Sequence, residues 1–190
     1  MRRLIAGMKL SLDGKVEGAD GMADWVEAWS DDYGLLPHID AVLLGAGMYP
    51  GYEQYWTGIR NEPERVAWIT GKPPTAAELE YARFASRTSH YVLSKTPTNT
   101  AWSHTHFIKS SEEVAAIKQQ PGKDIYLAGG ARTTASLIDA GLVDELRLIV
   151  YPVIAGAGKP LFTGGRRREL ALREVRALGG GRAWLIYGAA

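Results

Sequence analysis

Three groups of small or hydroxylated residues, each at the end of a short apolar run, are where this chain could do chemistry. In the stretch from Asp124 to Leu142, the run Ile125-Tyr126-Leu127-Ala128 breaks at Gly129-Gly130. Ala135, Leu137, Ile138 and Leu142 then recur at helical spacing, and Gly141 ends the helix. A strand, two glycines and a helix aim free backbone N–H groups at an anion, while glycine lets a ligand approach the backbone closely. Alone, the stretch reads equally well as a tight turn. The second group is Gly45-Ala46-Gly47, met by Ala41-Val42-Leu43-Leu44, and the third is Ser94-Lys95-Thr96, after His90-Tyr91-Val92-Leu93. In an open parallel sheet such strand ends share one edge, where ligands bind. Together they favour a phosphorylated ligand.

Other constellations carry less. His104 and His106 would face the same way on a strand, but no third ligand lies at recognisable spacing, so no metal site is expected. Gly156-Ala157-Gly158-Lys159 lacks the first glycine and the hydroxyl residue of a phosphate loop. No G-x-G-x-x-G follows the first strand, and no G-x-S-x-G elbow marks a hydrolase.

The elements that must position these residues follow from periodicity. Arg3 to Leu10 reads as a buried strand closed by Asp13-Gly14. Trp25, Val26, Trp29, Tyr33 and Leu36 lie at helical intervals after Asp24, a suitable N-cap, and predict a helix with its aromatics in the core. A short helix is expected over Met48–Trp56, and a strand at Val66–Ile69. Thr75 with Glu78, and Ser110 with Glu113, have capping-box spacing for two further helices. Thr105–Ile108 and Glu145–Val153 read as strands. Two more strands, Glu169–Leu178 and Arg182–Gly188, are joined by three glycines, and a phase change near Arg173-Glu174 predicts a bulge. The pattern is α/β: one domain over residues 1–190, with a mixed, mostly parallel sheet and a C-terminal antiparallel hairpin.

Composition narrows the function. The chain has 190 residues, 46% of them hydrophobic and 23% charged, as an ordinary globular domain has. A net charge of +1 argues against capture of nucleic acid or an anionic membrane. There is no cysteine, which excludes disulfides, thiolate metal sites and a thiol nucleophile. Lys9 and Asp13 interrupt the apolar N-terminus, no segment could span a bilayer, and a cytoplasmic location is expected.

The segments MKLSLDGK (8–15), VLLGAGMY (42–49), YVLSKT (91–96), IYLAGGARTTASLI (125–138) and DELRLIVYPVIAGAGKPLF (144–162) are specific in their order and spacing. By them the chain resembles the dihydrofolate reductase superfamily, and within it the reductase domain of riboflavin biosynthesis. The resemblance implies a three-layer α/β/α fold with a sheet of about eight strands, a bound NADPH and hydride transfer to a small heterocyclic, imine or carbonyl substrate. It implies that Gly129, Gly130, Ala131, Arg132 and Thr133 hold the pyrophosphate. Gly45, Ala46, Gly47, Met48, Ser94 and Lys95 would line the adenosine half, and the loop Ser11–Gly14 would lie beside the nicotinamide. It also implies a homodimer. Two departures stand out. Relatives carry an arginine where this chain has Ala46; that residue meets the phosphate distinguishing NADPH from NADH, which leaves NADH as an alternative and the cation to Lys95 or Arg132. Relatives that reduce folate place a carboxylate on the first helix; Asp31 is the candidate here, with Asp13 second, and folate reduction itself is not expected. The competing readings are a non-catalytic nucleotide- or partner-binding module on a reductase fold, and the riboflavin-pathway ribosylaminopyrimidine phosphate reductase itself.

Overall fold

The computed structural model describes residues 1–29, 33–97 and 99–189. In chain order its elements are β1 (Leu4–Ser11), β2 (Lys15–Glu17), β3 (Ile39–Gly45), α1 (Tyr49–Asn61), α2 (Ala76–Ala85), β4 (Ser89–Leu93) and β5 (Thr105–Ile108). Then come α3 (Ser111–Gln119), β6 (Asp124–Gly129), α4 (Ala131–Asp139), β7 (Glu145–Tyr151), β8 (Lys159–Pro160), β9 (Leu170–Ala177) and β10 (Ala183–Ala189). Eight strands form one sheet in the order β5-β4-β3-β6-β1-β7-β10-β9. Only β10 pairs antiparallel to its neighbours β7 and β9.

Both faces of the central strands are covered, which is why β1 is buried along its whole length and reads as a continuous apolar run. On one face α1 and α2 contribute Tyr49, Tyr52, Tyr55, Trp56, Ile59, Tyr81 and Phe84 to an aromatic core. On the other, α3 and α4 bring Val114, Ile117 and Leu137 onto Leu4, Ala6, Ile125 and Leu127. These are the three layers expected.

The capping predictions hold with one variation. Thr75 and Glu78 form a reciprocal box at α2. At α3 the Ser110 hydroxyl accepts from the Glu113 N–H, but the Glu113 carboxylate takes the Lys109 N–H instead. The bulge is present: Tyr187 faces Leu172 and Ile186 faces Glu174, leaving Arg173 over. This extra residue puts Leu172 and Val175 on the same side of the sheet as Tyr187 and Leu185. Leu172 and Val175 are 52% and 60% exposed there.

Three expectations are corrected. Residues 24–29 and 33–35 contain no helix; a single 3-10 turn forms at Leu36–His38. The reason is that other elements take its backbone groups: the Trp29 N–H donates to Glu78 and the Ala28 carbonyl accepts from Lys9 Nζ at 2.6 Å. Val66–Ile69 is not a strand but part of a turn closed by Ala67 N–H to the Lys72 carbonyl and Gly71 N–H to the Ala67 carbonyl. The helix expected over Met48–Trp56 begins at Tyr49, with Pro50 accommodated in its first turn, and continues to Asn61. One element was not anticipated: β2 and β8 form a two-stranded ribbon, tied by the Lys159–Glu17 ion pair at 2.9 Å.

Candidate active site

The carboxyl ends of β1, β3 and β6 meet where chain order reverses, because β6 is inserted between strands laid down earlier. There β6 ends at Gly129, joined by a cis peptide to Gly130, the N-cap of α4. No side chain caps α4 and no acidic residue lies in its first turn. Its leading N–H groups therefore face the strand ends with their partial positive charge uncompensated. The three glycines here differ. Gly129 has a φ of +117°, and a Cβ would stand 3.5 Å from the sulfurs of Met8 and Met48. At Gly45 a Cβ would collide with the Thr133 hydroxyl, so strand end and helix meet through the missing side chain. Gly130, at φ −71°, has nothing of the protein near where its Cβ would be.

A cavity of about 460 Å³ opens at this point, a size typical of small-molecule sites. Of the residues expected to bind a cofactor, Gly45, Gly47, Met48, Gly130, Ala131, Arg132 and Thr133 line it. Ala46 does not; it packs against the aromatic core and its N–H bonds the Leu93 carbonyl. Ser94 and Lys95 line a second hollow of about 290 Å³, with Lys109, Ser110 and Ser136. α4 runs past both, contributing Thr133 to the first and Ser136 to the second. Lys109, just before the α3 cap, was not singled out from the sequence.

The rest of the cavity wall is aromatic. Trp29, Tyr33, Tyr52, Tyr55, Trp56, Trp68, Tyr81 and Tyr126 line it; Tyr33 and Trp29, expected in the core, do pack in the aromatic core and also border this space. Tyr33 and Tyr126 lie directly on the backbone of β1, where a Cβ at Gly7 would stand 2.8 and 2.9 Å from their rings. The Tyr52 hydroxyl bonds Tyr81 at 2.9 Å and His90 Nε2 at 3.3 Å. The Tyr55 hydroxyl donates to Glu78 at 3.1 Å, and that carboxylate also receives the Trp29 N–H. Burial pushes both phenols up, with Glu78 adding to the effect at Tyr55, so they keep their protons at neutral pH. Burial, foremost, and then neighbouring His104 push His90 down to about 3, so its imidazole is neutral. Lys9, 6% exposed, also lines the cavity.

The carboxylate candidates divide. Asp31 lies outside the described residues. Asp13 does not line the cavity. It accepts from the Ser11 hydroxyl at 2.7 Å and from the Ala155 and Gly156 N–H groups, each at 2.9 Å, clasping the β1–β2 turn to the loop before β8. The Ser11 bond, then those backbone bonds, hold its pKa at about 2. A carboxylate so held is ionised at neutral pH. His104 and His106 are not a pair either: His104 lies 5.5 Å from the His90 ring, whereas His106 sits against Tyr91, which is on the opposite face of β4. The described residues contain no group of three or more side chains able to hold a metal, and no helix long and apolar enough to cross a membrane.

Comparison with known proteins places the fold and the family. The chain is 35% identical over 192 residues to the uncharacterized protein YyaP of Bacillus subtilis (strain 168), covering 98% of this chain and 94% of that protein. Its structure resembles a pyrimidine reductase-like protein from Corynebacterium diphtheriae, with a TM-score of 0.64 at 16% identity, over 100% of this chain and 92% of that one. It also resembles the dihydrofolate reductase of Enterococcus faecalis solved with NADP(H), with a TM-score of 0.58 at 15% identity, over 98% and 95% of the two chains. At such identities the structural likeness is one of fold, a dihydrofolate-reductase-like one. Because the RibD C-terminal domain is matched across residues 2–184, nearly the entire length, the chain belongs to the RibD C-terminal domain family.

Proposed function

We propose that this protein is an NAD(P)H-dependent reductase that passes a hydride to a small heterocyclic, imine or carbonyl substrate other than dihydrofolate. The observation that carries the reading is Gly130. Its φ suits any residue and a Cβ there would touch nothing of the protein, so the fold does not require glycine at this position. On the proposed reading a ligand does, because that Cβ would stand before the uncapped first turn of α4. Arg132 and Thr133 beside it, with no acidic residue in the turn, suit a diphosphate.

On this reading Gly129 to Thr133 hold the pyrophosphate, and Gly45 to Met48 with Ser94 and Lys95 hold the adenosine half. Ala46 leaves the distinguishing phosphate of NADPH to Lys95 and Lys109, which share the second hollow. NADPH is thus the preferred cofactor and NADH the alternative. When bound, the reduced nicotinamide supplies the hydride. The aromatic wall orients the substrate and excludes water. Asp31 is the proposed proton donor. A second copy of the chain covers the apolar stripe formed by Leu172, Val175, Leu185 and Tyr187, giving a homodimer. The absence of cysteine suits a cytoplasmic setting.

Ala46 favours one other reading, a nucleotide- or partner-binding module without turnover. The experiment is Gly130→Leu, with NADPH binding read by energy transfer from tryptophan and folding by urea titration. Affinity should be lost with the unfolding midpoint kept. Unchanged affinity overturns the reading, and NADPH binding without turnover on any carbonyl, imine or pyrimidine substrate selects the module.

A further inference from the structure

We propose that Gly51 determines what the cavity accepts: the notch it leaves in the inner face of α1 admits an uncharged aryl group of the substrate. The inference rests on the reductase reading only for calling that ligand a substrate. From α1 and its cap, Met48, Gly51, Tyr52, Tyr55 and Trp56 line the cavity. Recurring three and four residues apart, they form one stripe of the helix. All are large except Gly51, and the fold does not explain the exception. Gly51 lies within α1, where alanine would serve the helix better. Beyond its chain neighbours and the helix backbone, no atom comes within 4 Å of where its Cβ would be. Gly58, in the same helix, is equally unconfined, but it is exposed and does not line the cavity. Gly51 opens its gap onto a ligand space.

The walls of the notch set the chemistry it takes. Met48 and Tyr55 stand about one turn to either side of Gly51. A thioether and an aromatic ring both pack favourably on an aryl group. The Tyr55 hydroxyl is committed to Glu78 at 3.1 Å, and the Tyr52 hydroxyl bonds Tyr81 at 2.9 Å. Trp68, which also borders the cavity, stands edge-on to Tyr55 with 6.3 Å between ring centres. It is 60% exposed, an apolar surface that a ligand would cover. Glu53, the acidic residue of α1, is turned elsewhere, to the Thr100 hydroxyl at 2.6 Å and the Trp102 N–H at 2.9 Å. No charged side chain of α1 lines the cavity. An aryl group gains burial in the notch, whereas a charged group would lose its water there without an ionic partner.

Calorimetry on the full chain with acetophenone and acetonaphthone, which differ by a fused ring, tests this. The unaltered protein should bind acetonaphthone about tenfold or more tightly. Gly51→Leu should erase that preference and leave acetophenone binding unchanged. Gly51→Ala, which adds a single methyl, should reduce it severalfold, and Gly58→Ala should leave it intact. Equal binding of the two ketones by the unaltered protein overturns the proposal, and this comparison needs no variant. So does a preference that survives in Gly51→Leu when its urea midpoint shows it folded. NADPH titration separates the notch from the cofactor seat: Gly51→Leu should keep its NADPH affinity, and loss of NADPH together with acetonaphthone overturns the proposal. Failure of the unaltered protein to bind NADPH sinks the reductase reading alone, while the two ketones decide the notch.

Discussion

Replacing His90 with phenylalanine should flatten the acid side of the stability profile. His90 is fully buried on β4, its ring 5.5 Å from Tyr52 and 4.9 Å from Trp102. Below its ordinary value of 6.5 the unfolded chain takes up a proton there that the folded chain refuses until about pH 3. The unfolded state therefore binds more protons in this window, and stability falls as pH drops through it. The slope approaches ~1.4 kcal/mol per pH unit, and integration from about pH 8 to about pH 5 gives a loss of ~2 kcal/mol from this one residue. Asp13, held at about 2, loses its contribution only at lower pH and leaves the window clear. Urea titrations followed by tryptophan fluorescence should show the wild-type protein losing ~2 kcal/mol more than His90→Phe between about pH 8 and about pH 5. Parallel profiles for the two proteins would refute the buried, neutral imidazole. The result bears on the cavity, because His90 Nε2 is bonded to the Tyr52 hydroxyl behind the aromatic wall.

Three further outcomes are expected. Gly45→Ala should cost ~1–3 kcal/mol by forcing its Cβ onto the Thr133 hydroxyl; in a Thr133→Ala background most of that cost should vanish, and strictly additive urea midpoints would deny the contact. Removing both Lys95 and Lys109 as alanines should weaken NADPH by about tenfold or more while leaving NADH unaffected, measured by fluorescence titration; equal losses for the two cofactors would remove these lysines from the phosphate contact. Leu172→Glu with Val175→Glu should convert a dimer to a monomer in sedimentation velocity, and a wild-type protein that sediments as a monomer at micromolar concentration contradicts the proposed use of that stripe.

Much of the scaffold was legible because the signals were local. Apolar runs located β1, β3, β4 and β6, hydroxyl–glutamate spacing marked α2 and α3, and a change of phase revealed the bulge at Arg173. What was not legible depended on partners distant in sequence. Residues 24–36 have helical spacing, yet Glu78 and Lys9 take the backbone groups at Trp29 and Ala28. The β2–β8 ribbon is too short to leave a periodic trace and depends on Gly158, where a Cβ would strike the Glu17 carbonyl. The aromatic chamber was hidden for another reason. Tyr52, Tyr55 and Trp56 recur as core residues of a helix do, and they are core residues, but their ring surfaces also border the cavity. Lys9 looked like no more than an interruption in an apolar run.

The double glycine shows why such a site can be found in a sequence without being understood there. Gly129 and Gly130 are adjacent and chemically identical, yet they answer different demands. Gly129 is required by the backbone, since its φ of +117° is one that other residues rarely adopt. Gly45, at the end of the neighbouring strand β3, is required by packing against Thr133. At Gly130 neither demand applies, and the missing side chain leaves open the space before an uncapped helix. Substituting each in turn therefore separates the causes: strain at Gly129, overpacking at Gly45, and at Gly130 a loss of ligand with the fold intact. Only the last would identify the strand-turn-helix as a binding site rather than a tight turn.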